Sequence, residues 1–167
     1  MIVKKTKFKN LLIFQGQKFC DTRGEFREII LQNKIKKKII FTVFSRSKKN
    51  VLRGLHIQKN KMQGKFITVL KGKILDVVVD CRKKSKTFGK YYKIVLSSEN
   101  CKSIYIPPGF LHGFLCLDKD NYVVYGCTNY RDKDSETSVR WNDPDLKIKW
   151  GIKKPVLSEK DKNSMSF

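Results

Sequence analysis

The chain has 167 residues, 40% of them hydrophobic and 11% aromatic, and its 37 basic and 15 acidic side chains give a formal net charge of +22. That length suits a single domain, 1–167, with a sizeable core, and that apolar content excludes a disordered polymer. No apolar run approaches the ~20 residues a membrane-spanning helix needs, and Leu11-Leu12-Ile13-Phe14 is too short for an export signal. A cytoplasmic protein with no membrane partner is therefore expected.

The charge says less about partners than its size suggests. Thirty of the basic residues are lysines spread along the whole chain, and only seven are arginines. Surfaces that grip phosphate backbones recruit arginine, whose planar fork binds phosphate at two points. The lysines read as solvated surface, so no nucleic-acid partner is expected, although a positive field can draw an anionic small molecule inward. Cys20, Cys81, Cys101, Cys116 and Cys127 form no C-x-x-C and no Cys/His pair at zinc spacing. They read as thiols in a reducing compartment, with no metal site.

In chain order, strands are predicted over 26–31, 39–44, 64–70, 74–80, 91–96, 103–106 and 122–128, all rich in β-branched and aromatic residues. Turn signals separate them at Lys71-Gly72-Lys73, Phe88-Gly89-Lys90, Pro107-Pro108-Gly109 and Asp118-Lys119-Asp120-Asn121. No stretch keeps helical periodicity over three capped turns. The pattern predicts an all-β sandwich or jelly roll with few short helices, a core over about 11–150, and a polar, loosely held tail over 158–167.

Period-two alternation singles out two charges. Lys65 shares a strand face with Ile67 and Val69, and Asp76 shares one with Ile74 and Val78. A charge on an apolar face needs a partner or a wet cavity. Either the two sit at strand ends, or they line a polar pocket inside a barrel. The chain's two histidines, His56 and His112, each lie beside glycine, in Arg53-Gly54-Leu55-His56 and Leu111-His112-Gly113. Imidazole titrates where proton transfer near neutrality requires it.

Six segments then occur in one order: Asp21-Thr22-Arg23-Gly24-Glu25-Phe26-Arg27-Glu28, Val51 to His56, Gln63-Gly64-Lys65, Asp76 to Arg82, Ile106 to Phe114, and Arg140-Trp141-Asn142-Asp143-Pro144. The ordered set resembles the dTDP-4-dehydrorhamnose 3,5-epimerase family. The resemblance implies a cupin-type jelly roll, a homodimer, a nucleotide-linked 4-keto-6-deoxy sugar as substrate, and no cofactor. Metal-binding cupins usually carry His-x-His, whereas His56 precedes Ile57-Gln58.

By the same resemblance, His56 is the general base and Asp143 the carboxylate that orients it. Tyr125 is the acid on the opposite face, and Lys65 is the cation near the developing enolate oxygen. Arg53, His112, Glu136 and Arg140 match substrate contacts. Arg23 and Glu28 match nucleotide contacts that often reach the partner subunit's ligand, and Asp76 is a supporting partner or a strand-end charge. Taken alone, Tyr125 is an ordinary strand aromatic and Asp143 begins a turn; their order relative to the histidines favours the catalytic roles. Phe41-Thr42-Val43-Phe44 and Arg131 depart from the family pattern where the nucleotide should lie. These departures leave open dTDP or GDP, hexose or heptose, and inversion at carbons 3 and 5 or at carbon 3 alone.

Overall fold

In the computed structural model, which describes residues 1–167, alternation and turns resolve into thirteen strands and a single α-helical turn. The strands are β1 (Ile2–Lys5), β2 (Leu12–Gln15), β3 (Lys18–Asp21), β4 (Gly24–Arg27), β5 (Phe41–Lys48), β6 (Leu52–Gln58) and β7 (Lys65–Lys71). They continue as β8 (Lys73–Asp80), β9 (Tyr91–Ser97), β10 (Lys102–Ile106), β11 (Phe110–Cys116), β12 (Asp120–Cys127) and β13 (Glu136–Ser138), and α1 covers Glu159–Lys162.

Two antiparallel sheets face each other. One runs β1-β2-β10-β7-β12-β5, the other β13-β6-β11-β8-β9, and β3 and β4 form a separate hairpin. Ile67, Val69, Ile74, Val78, Phe110, Phe114 and Val123 are all buried between the sheets. Lys65 and Asp76 share these inward faces, as their alternation requires. The five-stranded sheet is covered on its outer face too, where Leu52, Leu55, Val77, Val79, Leu111 and Leu115 pack with Leu146 and Trp150.

That double coverage explains why β11 carries no alternation: every residue from Phe110 to Cys116 is buried. The strand expected over 26–31 is shorter than its composition suggests. β4 ends at Arg27, and the following residues leave the hairpin instead of extending it.

The tail is a clearer correction. Residues 158–167 are not loosely held: Ser158 caps α1, Asp161 is buried, and Met165 bridges to Val139. Hydrogen bonds to the folded body offset the entropy of ordering this polar segment.

Asp80 shows how the turn after β8 is locked. Its fully buried carboxylate accepts from Arg82 Nε at 2.8 Å, Arg82 Nη2 at 2.7 Å, and the Ser85 and Thr87 hydroxyls at 2.6 Å each. Burial alone would raise its pKa, but the Arg82 guanidinium and the two hydroxyls outweigh it and hold the carboxyl far below the usual range. The stabilisation is therefore present above the unfolded-state value of ~3.9 and is lost as pH falls through the depressed folded value. Asp80→Ala should destabilise the fold by about 3 kcal/mol at pH 7. Denaturant titrations should show the penalty shrinking progressively below pH ~4.

Candidate active site

Glycine brings the two histidines together. β6 and β11 pair with His56 directly opposite His112, and the register shifts between His112 and Phe114. A Cβ on Gly54 would meet Gly113 Cα at 2.6 Å and the His112 carbonyl at 2.7 Å; one on Gly113 would meet the Arg53 carbonyl at 2.7 Å. Only glycines permit so close a backbone approach. The opposite wall comes from the other sheet, where Lys65 opens β7 and Tyr125 lies in β12. Between the walls lies a cavity of ≈ 350 Å³, lined by Arg53, His56, Lys65, His112, Tyr125 and Glu136 among others. A smaller recess of ≈ 130 Å³ adjoins it, edged by Phe41, Gln63, Cys127 and Arg131.

His56 Nε2 lies 2.6 Å from Asp161 Oδ1. The second oxygen of Asp161 accepts from the Ser158 hydroxyl at 2.9 Å. Burial would raise the Asp161 pKa, but the hydrogen bond and charge of His56, the Ser158 hydroxyl and the Gly54 N–H hold it low. An ionised carboxylate on Nε2 fixes the tautomer with its proton there, which leaves Nδ1 as the basic nitrogen.

Asp143, expected in this role, is elsewhere. Its Oδ1 accepts from the Asp145 and Leu146 N–H groups at 3.0 and 3.2 Å, and its Oδ2 from the Phe167 N–H at 3.0 Å. The turn-forming propensity of Asn142-Asp143-Pro144 prevails there. The carboxylate beside His56 comes instead from α1, 105 residues along the chain. Its signal was Ser158-x-x-Asp161, a helix-capping pattern at the start of the polar tail.

The remaining groups divide by position. His112 Nε2 bonds Asp76 Oδ2 at 2.8 Å, both side chains are buried, and Asp76 Oδ1 has no hydrogen-bond partner. Asp76 is thus a partner of His112 inside the barrel and not a strand-end charge. The Tyr125 hydroxyl lies 3.1 Å from Ser45 Oγ, and its ring meets His112 edge-on at 6.5 Å. Burial raises the Tyr125 pKa well above that of a free phenol, so the hydroxyl keeps its proton. Burial also lowers the Lys65 pKa, against the opposing pull of Cys127, Glu136 and Asp76. Arg53 Nε donates to Ser47 Oγ at 3.0 Å. Arg131 Nη2 lies 2.6 Å from Glu136 Oε2, which Lys160 approaches at 3.3 Å. Sequence reasoning missed Lys160 as it missed Asp161, because both belong to α1.

Three expected contacts lie outside the cavity lining. Arg23 caps the β3–β4 hairpin, is 88% exposed and pairs with Asp21. Glu28 follows that hairpin and lies 4.0 Å from the N-terminal amine. Arg140 lies 3.5 Å from Asp143, in the loop after β13.

The facing sheets form a jelly roll of the cupin class, and titratable side chains stand on both inner walls. The family model for dTDP-4-dehydrorhamnose 3,5-epimerase matches residues 5–167. A curated dTDP-4-dehydrorhamnose 3,5-epimerase from Salmonella typhimurium is 43% identical over 169 residues, covering 96% of this chain and 92% of the relative. The structure of a 3,5-epimerase from Legionella pneumophila with dTDP-4-keto-L-rhamnose superposes with a TM-score of 0.94 at 38% identity, covering 99% of this chain and 92% of that one. A 3'-monoepimerase from Streptomyces bikiniensis, solved with dTDP-quinovose, gives 0.89 at 28% identity, covering 96% and 85%. The chain belongs to the dTDP-4-dehydrorhamnose 3,5-epimerase family and is an isomerase.

Proposed function

We propose that this protein inverts carbons 3 and 5 of a dTDP-linked 4-keto-6-deoxy hexose in the production of surface-glycan precursors. A C–H beside a ketone is acidic because the electron pair left behind spreads onto the carbonyl oxygen as an enolate. His56 Nδ1 removes that proton, and Asp161 supports the imidazolium that results. The Lys65 ammonium stabilises the enolate oxygen within a largely buried site. The enolate then takes the Tyr125 proton on its other face, so the centre inverts, and proton exchange with water returns the imidazolium and the phenolate to their starting forms.

One observation carries this reading. The base and acid candidates stand on opposing sheets and line the same cavity. Arg131 and Lys160, gathered on Glu136 at the α1 side of the cavity, supply positive charge for a diphosphate. The Phe41 and Tyr130 rings, 5.8 Å apart, offer an apolar surface to the base. The protein works in the cytoplasm as a homodimer. Cross-strand Phe19 and Phe26 are 57% and 68% exposed, and a second copy seated on their hairpin would bring Arg23 and Glu28 to the partner's ligand.

Incubating dTDP- and GDP-linked 4-keto-6-deoxy hexoses and heptoses in D2O tests the activity. Deuterium should enter carbons 3 and 5 of the dTDP-hexose. Entry at carbon 3 alone would favour the second reading, a 3-epimerase, which the fold shared with the Streptomyces bikiniensis enzyme supports. Faster turnover of the GDP-sugar would reassign the nucleotide, and no exchange with any substrate would overturn the proposal.

A further inference from the structure

Asp161 reaches His56 from a helix of four residues. One helical turn gains too little from its own hydrogen bonds to hold a position, so flanking contacts must place it. Upstream, Val156 bridges to Val51; its N–H reaches the Asn50 carbonyl at 2.8 Å, and its carbonyl accepts from Leu52 at 3.0 Å.

Downstream, the Met165 N–H donates to the Ser138 carbonyl at 3.3 Å, and the Met165 carbonyl accepts from the Arg140 N–H at 2.8 Å. Ser164 Oγ donates to Ser138 Oγ at 2.9 Å. The last anchor is Asp143 Oδ2, which accepts the Phe167 N–H at 3.0 Å, while the Phe167 ring packs 5.9 Å from that of Phe88.

We propose that Asp143 is a positioning residue: by holding Phe167 it keeps residues 157–167 strapped across the edge of the β13–β6 sheet, and the strap delivers Asp161 to His56. Asp143 is suited to this. Its side chain is fully buried, and its other oxygen is engaged by the Asp145 and Leu146 N–H groups, so it presents Oδ2 from a rigid turn. Tied at both ends, the strap is a short closed loop that keeps Asp161 at the imidazole. Released at one end, it loses that closure, and local opening becomes cheaper. The same strap carries Lys160 to Glu136, so its docking also completes one side of the cavity. The inference rests on His56 acting as the base, but its structural content is testable without substrate.

The chain's two histidines make the test selective. Each Nε2 bonds a carboxylate, His56 at 2.6 Å and His112 at 2.8 Å, and the His112–Asp76 pair is buried with no hydrogen bond to a residue of the strap. Histidine-labelled 15N NMR in H2O should show two far-downfield Nε2–H protons. Asp143→Asn, and separately removal of residues 164–167, should each abolish or shift the His56 resonance and leave that of His112 in place. kcat should fall about 10-fold or more, a share of the ~10²–10⁴-fold a general base supplies, and KM should rise as well, because Lys160 leaves the cavity with the strap. An unchanged His56 resonance in both variants would overturn the proposal. Loss of both resonances on truncation would overturn it too, since the tail would then serve the fold as a whole. If the His56 resonance responds as expected but no candidate sugar turns over, the strap stands and the proposed activity fails.

Discussion

His56→Ala should abolish solvent-deuterium incorporation beside the ketone while leaving the β-sandwich folded. Two imidazoles at the cavity are paired with buried carboxylates, and His56 is the more accessible of them, its side chain 25% exposed against 4% for His112. A positioned base accounts for ~10²–10⁴-fold of rate, so exchange should drop to near background. The fold should survive because His56 is partly exposed and lies outside the apolar core. Asp161→Asn should reproduce much of the loss. An amide cannot support the imidazolium, and it reverses the tautomer if its NH2 group faces Nε2. Single-turnover exchange in D2O, followed by NMR and paired with circular dichroism, measures both. Exchange within a few-fold of the unsubstituted protein in His56→Ala would show that another group removes the proton.

Tyr125→Phe should separate proton loss from inversion. With the hydroxyl gone, His56 can still remove a proton and return deuterium to the same face, so label enters while the configuration is retained. Inversion should fall about 10²–10³-fold and exchange much less. Burial keeps the phenol protonated well above neutrality, so no alkaline loss of rate should originate from Tyr125 below pH ~10. The substitution frees one hydrogen bond, to Ser45 Oγ, with an effect on stability of about 1 kcal/mol. Comparing the rates of label entry and epimer formation on one sample checks the prediction. Equal losses of both would make Tyr125 part of binding and not the acid.

Much of this arrangement was legible from residue order. Alternation placed Lys65 and Asp76 on inward faces, and the predicted strands beyond residue 38 correspond to β5, β7, β8, β9, β10 and β12 within a few residues. β6 and β11 were not predicted as strands, although they carry both histidines. Their residues pack on both sides of the sheet, so period two is lost, and Gly54 and Gly113 look like breakers when they are points of close backbone contact. Arg23 and Glu28 show a different limit. Arg23 lies in the β3–β4 turn and Glu28 just beyond β4, and neither lines the chain's own cavity.

The sequence alone determined the strand-rich class and the two charges on apolar strand faces, because period and local turns are written in neighbouring residues; the histidine, lysine and tyrosine at the cavity were marked by the ordered motifs that resemble the family. It could not determine which carboxylate serves His56. Asp143 and Asp161 both follow turn or capping residues, and local chemistry does not rank them. Tertiary structure decided between them: Asp143 is consumed by its own turn and the Phe167 N–H, while a strap tied at both ends brings Asp161 within 2.6 Å of the ring. The difference is loop closure, a property of where distant anchors lie, which no local pattern encodes.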